Sequence, residues 1–549
     1  MKKSSIQHQL KSLGWILPIL FTSLVYILDL RYFSSPPLRS DDWNWIVAPQ
    51  IFNPLPLIDL SDRRPLISSL FALIGPIFGL KICWYYLVNW LLLFLTGIVF
   101  YKVIEKVFPE HPWLPLSTAL IFLIYPVNYA RTWLIVANIT LALLLASLVV
   151  LMMVLFSRSG KATYLLLGNT LFLVSLGIYE ASFGNVLLAA ALLALFSREI
   201  PKKRRVLLNT FLLTGLVFFA WRTFIQPELI GVQDFYLSNV NLSISTVFSR
   251  YFQGGFIFLF NWFGPLFFAF KDYKYIAFTS VVTLLVLIFL AFLPKIIKAA
   301  RNNLKFHYAE RIAKVKSLAG IAFIGLMFWV AGYIPIISVY QPTFYGDSSR
   351  VNYTSIPGAA LALSAGMASL ITLIVKEKKQ IHRILRIALV ICLFSGVILQ
   401  IHSQNIRFHI WETKKTFWHD TFNLISNIAD DSIVVIVIPG FDTLQPFEML
   451  PFIGDWEAES ALQVLYNNPT LFAEYYYRDI PGHPDNWVPT GNDYSRFLFL
   501  FFELETRSVR LIEDPASALS IPVEFAGYNP KQRIETYTPE AGVYRFLVH

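Results

Sequence analysis

The sequence predicts a polytopic α-helical membrane protein that ends in a small soluble α/β domain. Three observations carry that expectation. Apolar runs of about 20 residues, the length that crosses a bilayer, recur between Ser12 and Ile401. The chain is 56% hydrophobic and 16% aromatic, with a mean hydropathy of +0.56, which excludes an ordinary soluble enzyme. The net charge of +10 is also unevenly spread: residues 403–549 hold 10 Lys/Arg against 20 Asp/Glu, leaving 35 against 15 before them.

Such a split is expected when two parts of a chain face different compartments, with basic loops in the cytoplasm. The basic residues form short clusters between spans, which argues against nucleic acid and for the lipid bilayer as a partner. Cys83 and Cys392 both lie in apolar segments, so neither a disulfide framework nor a thiolate metal site is indicated.

Taken in order, Met1-Lys2-Lys3 and Lys11 precede a first span, Ser12 to Leu30, with no clear small-residue cleavage site. It is expected to be a retained anchor with a cytoplasmic N-terminus. Residues 31–66 form a long outer loop, and Leu66 to Leu80, broken at Gly75-Pro76, is too short to cross and is expected in the interface. Spans follow at Lys81–Ile104, Leu114–Tyr125, Thr132–Phe156, Tyr164–Tyr179, Phe183–Phe196 and Val206–Ile225, with Lys202, Lys203, Arg204 and Arg205 marking the cytoplasm. Phe252–Phe270 is interrupted by Gly254-Gly255 and Gly264-Pro265. If it crossed, the basic loop 295–316 would lie outside, so it reads as a re-entrant or interfacial element. Ile276–Leu293, Leu318–Val339, Ile356–Val375 and Ile387–Ile401 then complete about eleven spans.

These boundaries divide the chain into a membrane domain, residues 1–402, and an extracytoplasmic domain, residues 403–549. In the latter, Ile433 to Ile438 is a β-branched run typical of a buried strand. A helix is expected around Glu457–Tyr477, a strand near Phe497–Leu504 and further short strands in Val523–His549.

The chemistry-bearing residues gather at the outer side. Asp41 and Asp42 stand before Trp43-Asn44-Trp45, and Asp62-Arg63-Arg64-Pro65-Leu66 follows. Carboxylates suit abstraction of a hydroxyl proton, and guanidinium forks suit phosphate oxygens. The simpler reading is that Asp41 and Asp42 cap a helix starting at Trp43. Arg39, Arg63, Arg64, Arg131, Arg222, Arg250 and Arg350 lie at outer loops or span ends, where orientation gives them no task. Singly each could snorkel or pair with Asp62, Glu180 or Asp347; as a set they could line an anionic pocket. Glu180, at the mouth of an apolar hairpin, needs an arginine partner or a hydroxyl ligand.

A first span followed by an outer loop with D-D-W, a downstream R-P pair, a Y-E turn and about eleven spans resembles the GT-C superfamily of membrane glycosyltransferases. The resemblance covers roughly residues 1–402. It implies a GT-C-like fold and a polyprenyl-phosphate-linked sugar as donor. It also implies an acidic pair in the first outer loop, here Asp41 and Asp42, with one member as catalytic base. The segment from Asp62 to Leu66 resembles the G-R-P-L segment of bacterial lipid-linked glucosyl and arabinosyl relatives, with Arg63 in place of the glycine.

Substrate-binding residues expected on this reading are Arg63, Arg64, Glu180, Arg222, Asp347 and Arg350. The acceptor would be a glycan, lipid or protein at the outer face of the plasma membrane. The acidic pair could hold a divalent cation, or the arginines alone could meet the leaving-group charge. A flippase or transporter, or a polymerase or ligase of lipid-linked saccharides, would share many of these features. No internal repeat favours a transporter, and the early acidic pair favours a transferase.

Overall fold

The computed structural model describes residues 14–27, 29, 31–39, 41–60, 62, 64–127, 129–196, 201–230, 243–260, 262, 308–337, 339–343, 347–375, 377–438, 455–477, 494–503, 506–516, 525, 527–535 and 547. Its principal helices are α1 (Ile16–Ser23), α2 (Ser69–Phe78), α3 (Ile82–Val107), α4 (Leu114–Ile124), α5 (Ala137–Ser159), α6 (Ala162–Ile178) and α7 (Phe183–Phe196). They continue with α8 (Pro201–Ala220), α9 (Ile244–Phe260), α10 (Tyr308–Tyr333), α11 (Ile356–Ile374), α12 (Lys378–Leu424) and α13 (Asp455–Tyr466). Among the described residues six helices are long and apolar enough to cross a membrane, which makes this a multi-pass helical membrane protein. Ile16–Tyr26, Leu114–Ile124, Ala162–Ile178 and Glu180–Leu195 are shorter apolar helices at positions where spans were expected. The expected span Ile276–Leu293 lies outside the described residues, as do most of the basic loop 295–316 and all but the helical start of Phe252–Phe270.

Two compact units divide the chain. The first holds residues 1–34, 57–70 and 83–404; the second holds 35–56, 71–82 and 405–549.

In the first unit the helices are apolar on most faces, as spans buried in lipid and in one another must be. α5 runs 23 residues without a charge until Arg158, and Gly160 ends it in the left-handed region (φ 69°), its amide donating to Phe156 O at 2.7 Å. α10 and α11 approach through small residues: a Cβ on Gly358 would overlap the backbone of Phe328 and Trp329, and one on Gly325 would overlap Ala362. α4 ends where Arg131 reaches it. Both terminal nitrogens of Arg131 donate to Phe122 O at 3.1 Å, Nη1 also donates to Leu123 O, and the guanidinium lies over the Tyr26, Phe122 and Tyr353 rings.

The second unit contains a four-stranded sheet. β1 (Asn427–Ile428) pairs with β6 (Ile534–Glu535) as a separate antiparallel ribbon, and β2 (Ile433–Ile438) is the centre of the main sheet. β2 pairs in parallel with β3 (Phe472–Tyr477) and with β4 (Phe497–Glu503), and β4 pairs antiparallel with β5 (Ser508–Leu511), giving the order β3-β2-β4-β5. Val434 to Ile438 are fully buried, as a parallel strand covered on both faces requires. The expected helix over Glu457–Tyr477 is corrected at its second half. Asn467, in the left-handed region at φ 50°, and Pro469 end α13, and Phe472–Tyr477, rich in aromatic residues, is an edge strand. Of the strands expected in Val523–His549, only β6 falls among the described residues.

Candidate functional site

Two clusters of charged side chains are built at the positions that the sequence singles out. The first, in the first unit, is centred on Glu180. The segment after Asp59 folds on itself: the Asp59 amide donates to Pro65 O at 2.9 Å and the Asp62 carboxylate accepts from the Arg64 amide at 2.8 Å. The Leu66 amide then donates to Gly177 O at 3.0 Å, which fixes this segment to the end of α6. Arg64 is thereby laid over the Tyr179 ring at 4.4 Å and forks onto Glu180, Nε to Oε2 at 2.8 Å and Nη2 to Oε1 at 3.0 Å.

Arg222 brings a second guanidinium, with Nη1 3.2 Å from Glu180 Oε1. It sits in a π-helical turn, Trp221–Ile225, that continues α8; the wider turn re-aims the side chains that follow. Burial pushes the Glu180 carboxyl up, but the two guanidiniums outweigh it and hold the group well below the usual carboxylate range.

The second cluster lies in the second unit. Asp42 is fully buried, while Asp41 is half-buried. A π-helical turn, Trp43–Val47, begins directly after Asp42, but the Asp42 side chain does not cap it. Its Oδ2 accepts instead from the Arg39 amide at 3.1 Å, and the backbone carbonyl of Asp41 accepts from the Trp45 amide at 2.8 Å. The simple capping role is therefore replaced by a buried carboxylate beside a buried arginine.

Lys414 and Glu457 complete this cluster. Lys414 Nζ donates to Glu457 Oε1, with both side chains 1% exposed. Lys414 also feels Arg39 and Asp42 electrostatically; burial lowers its ammonium below the ordinary lysine range, against the pull of Glu457. Here α13 packs on the π-helical turn. Trp411 Nε1 and Lys415 Nζ donate to Ser35 Oγ at 3.2 and 3.1 Å, holding the start of the loop on α12.

Sequence reading passed over Lys414 and Glu457, although a signal was present. Arg407, Trp411, Lys414, Trp418 and Thr421 recur at spacings of three and four, all buried, so the lysine stands on the packed stripe of a helix. Reading the last span as ending at Ile401 concealed that periodicity, because α12 runs on to Leu424.

The arginine set does not act as one group. Arg64 and Arg222 converge on Glu180, Arg39 adjoins Asp42, Arg131 is committed to the end of α4, and Arg250 donates to Ile337 O at 2.7 Å. Arg350 is half-buried in the 3-10 helix Asp347–Ser355. Arg63 and the side chain of Asp347 lie outside the described residues. Among the described residues no three His, Cys, Asp or Glu side chains group to hold a metal ion.

No family profile matches the sequence, and no curated protein matches it. In structure the chain is similar to ArnT from Cupriavidus metallidurans in its apo state, at 11% identity and a TM-score of 0.36. That likeness covers 83% of this chain and 91% of the other.

Proposed function

We propose that this protein is an integral membrane glycosyltransferase. It moves a sugar from a polyprenyl-phosphate-linked donor to an acceptor hydroxyl at the outer face of the plasma membrane. The observation that carries the reading is Asp42: a carboxylate of the first outer loop, fully buried, held by a backbone amide and surrounded by Arg39 and Lys414. A helix cap has no need of such surroundings, whereas a buried carboxylate beside two cations is a candidate functional group.

In the proposed reaction Asp42, assisted by Asp41, takes the acceptor proton. The acceptor oxygen forms its bond to the anomeric carbon, the bond from that carbon to the phosphate oxygen breaks, and polyprenyl phosphate departs with the electron pair. The product is inverted at that carbon. The guanidinium forks of Arg64 and Arg222 suit phosphate oxygens, with Arg63, Arg350 and Asp347 as further donor-binding positions. Glu180 holds the two guanidiniums in place. Asp42 is closed to solvent in this conformation, so acceptor entry has to open its surroundings.

Mass spectrometry of envelope glycans and polyprenyl lipids from a deletion strain tests the proposal. The expected result is loss of one sugar from a glycan or lipid acceptor with accumulation of the charged donor. Unchanged glycans and donor pools would overturn it.

A further inference from the structure

A cavity of about 380 Å³ runs between α3, α5, α7, α10 and α11, within the first unit, and neither Glu180 nor its arginines line it. That volume is within the ~300–1,000 Å³ of small-molecule sites. Phe100, Ile104 and Val107 line it from α3, and Leu143, Val150 and Val154 from α5, at helical spacing. The lining face of α5 runs from Leu143 to Arg158, about 22 Å at 1.5 Å per residue, against a hydrocarbon core of about 30 Å.

One end of the cavity reaches Asn185 and Pro357; at the other stand Lys106 and Arg158. These two cations share one mouth, because Arg158 Nη2 donates to the Lys106 carbonyl. Arg158 and the neighbouring Lys161 are exposed and Lys106 is half-buried. The nearby Glu105 carboxylate is paired with Lys102 at 2.9 Å.

Water is a poor filler for so apolar a space, and an empty one would forfeit dispersion contacts along its whole length. A hydrocarbon chain fits it, and the cations at the mouth select the head to which that chain belongs: basic pockets between spans bind anionic lipid headgroups. We propose that the cavity binds one anionic glycerophospholipid. An acyl chain lies along α5, and the phosphodiester sits between Lys106 and Arg158 at the basic ends of α3 and α5. The site is independent of the sugar transfer proposed above.

Native mass spectrometry of the full chain, exchanged into detergent with dioleoyl-phosphatidylglycerol or dioleoyl-phosphatidylcholine, tests this. One phosphatidylglycerol per chain should survive delipidation, retained at least tenfold over phosphatidylcholine. The pair K106E/R158E, on residues at the mouth, should remove that preference while leaving the circular dichroism unchanged. A189F, which fills the cavity with a ring, should remove the tightly held lipid while leaving both cations in place. Equal retention of the two lipids by the wild-type chain, or phosphatidylglycerol retained by both variants, would overturn the site.

Discussion

Arg64 and Glu180 lie 116 positions apart and meet through two parallel hydrogen bonds, at 2.8 and 3.0 Å, with Arg222 closing on the same carboxylate. Breaking the fork leaves the buried Glu180 carboxylate with Arg222 as its remaining arginine. Arg64→Ala should therefore cost about 1.5–3 kcal/mol, the worth of charge-assisted hydrogen bonds, and Arg64→Lys somewhat less, because a lysine keeps the charge although it cannot make the fork. Thermal unfolding in detergent reads the difference, and an unchanged transition in Arg64→Ala would refute it.

The same carboxylate predicts a pH dependence. Glu180 is held below its unfolded value of about 4.3, so its contribution to stability is complete above that pH. It fades as the pH falls further, when the unfolded chain takes up the proton first. Glu180→Gln should flatten the acid limb of the stability curve relative to wild type. An identical acid limb in the two proteins would count against the ion trio.

Asp42→Asn should lower transfer by about 10²–10⁴-fold with the fold intact, the usual worth of a general base. Asp41→Asn should cost less, since Asp41 is only half-buried. Full activity in both variants, measured on the acceptor identified from the deletion strain, would remove the base from the first loop.

The pair Lys414 and Glu457 admits a double-mutant cycle. Lys414→Met alone and Glu457→Leu alone should each cost about 3–5 kcal/mol, while the double variant should be close to wild type or more stable. Additive losses would mean that the two side chains do not depend on each other. A drop in transfer in the double variant with stability retained would tie the pair to Asp42.

At the contact between α10 and α11, Gly358→Ala forces a Cβ into the backbone at Phe328 and Trp329. The helices must separate, and a loss of about 1–3 kcal/mol is expected, as for overpacking in a tight interior. Gly320→Ala is the control, since a Cβ there meets nothing within 4 Å.

Much of the membrane part is legible because lipid imposes a long apolar period. Phe183–Phe196 was expected and found with the same bounds, and Ile356–Val375 differs by one residue. The buried strand at Ile433–Ile438 is equally plain, since unbroken β-branched runs have few other uses. What escaped notice are features decided by partners distant in sequence. Nothing local distinguishes Arg131, which completes a helix end, from Arg64, which clamps a carboxylate. The residues around Glu457 read as a helix, and nothing in them signals that Lys414 neutralises it. The π-helical turns at Trp43–Val47, directly after Asp42, and at Trp221–Ile225, which holds Arg222, leave no pattern that apolar periodicity can detect.

The second unit draws together segments from both ends of the chain, and this sets a timetable for synthesis. Lys414 is translated roughly 370 residues after Asp42, so at ~5–20 residues per second the first loop waits roughly 20–75 s for its partner. During that interval Arg39, Asp42 and the apolar faces of Trp43, Ile46 and Val47 have no place to be buried. The nascent loop is therefore exposed to membrane proteases and to mispairing with lipid or with other chains. A chain halted before Asn405 should remain in that vulnerable state, and be degraded faster than the full-length protein in pulse-chase labelling.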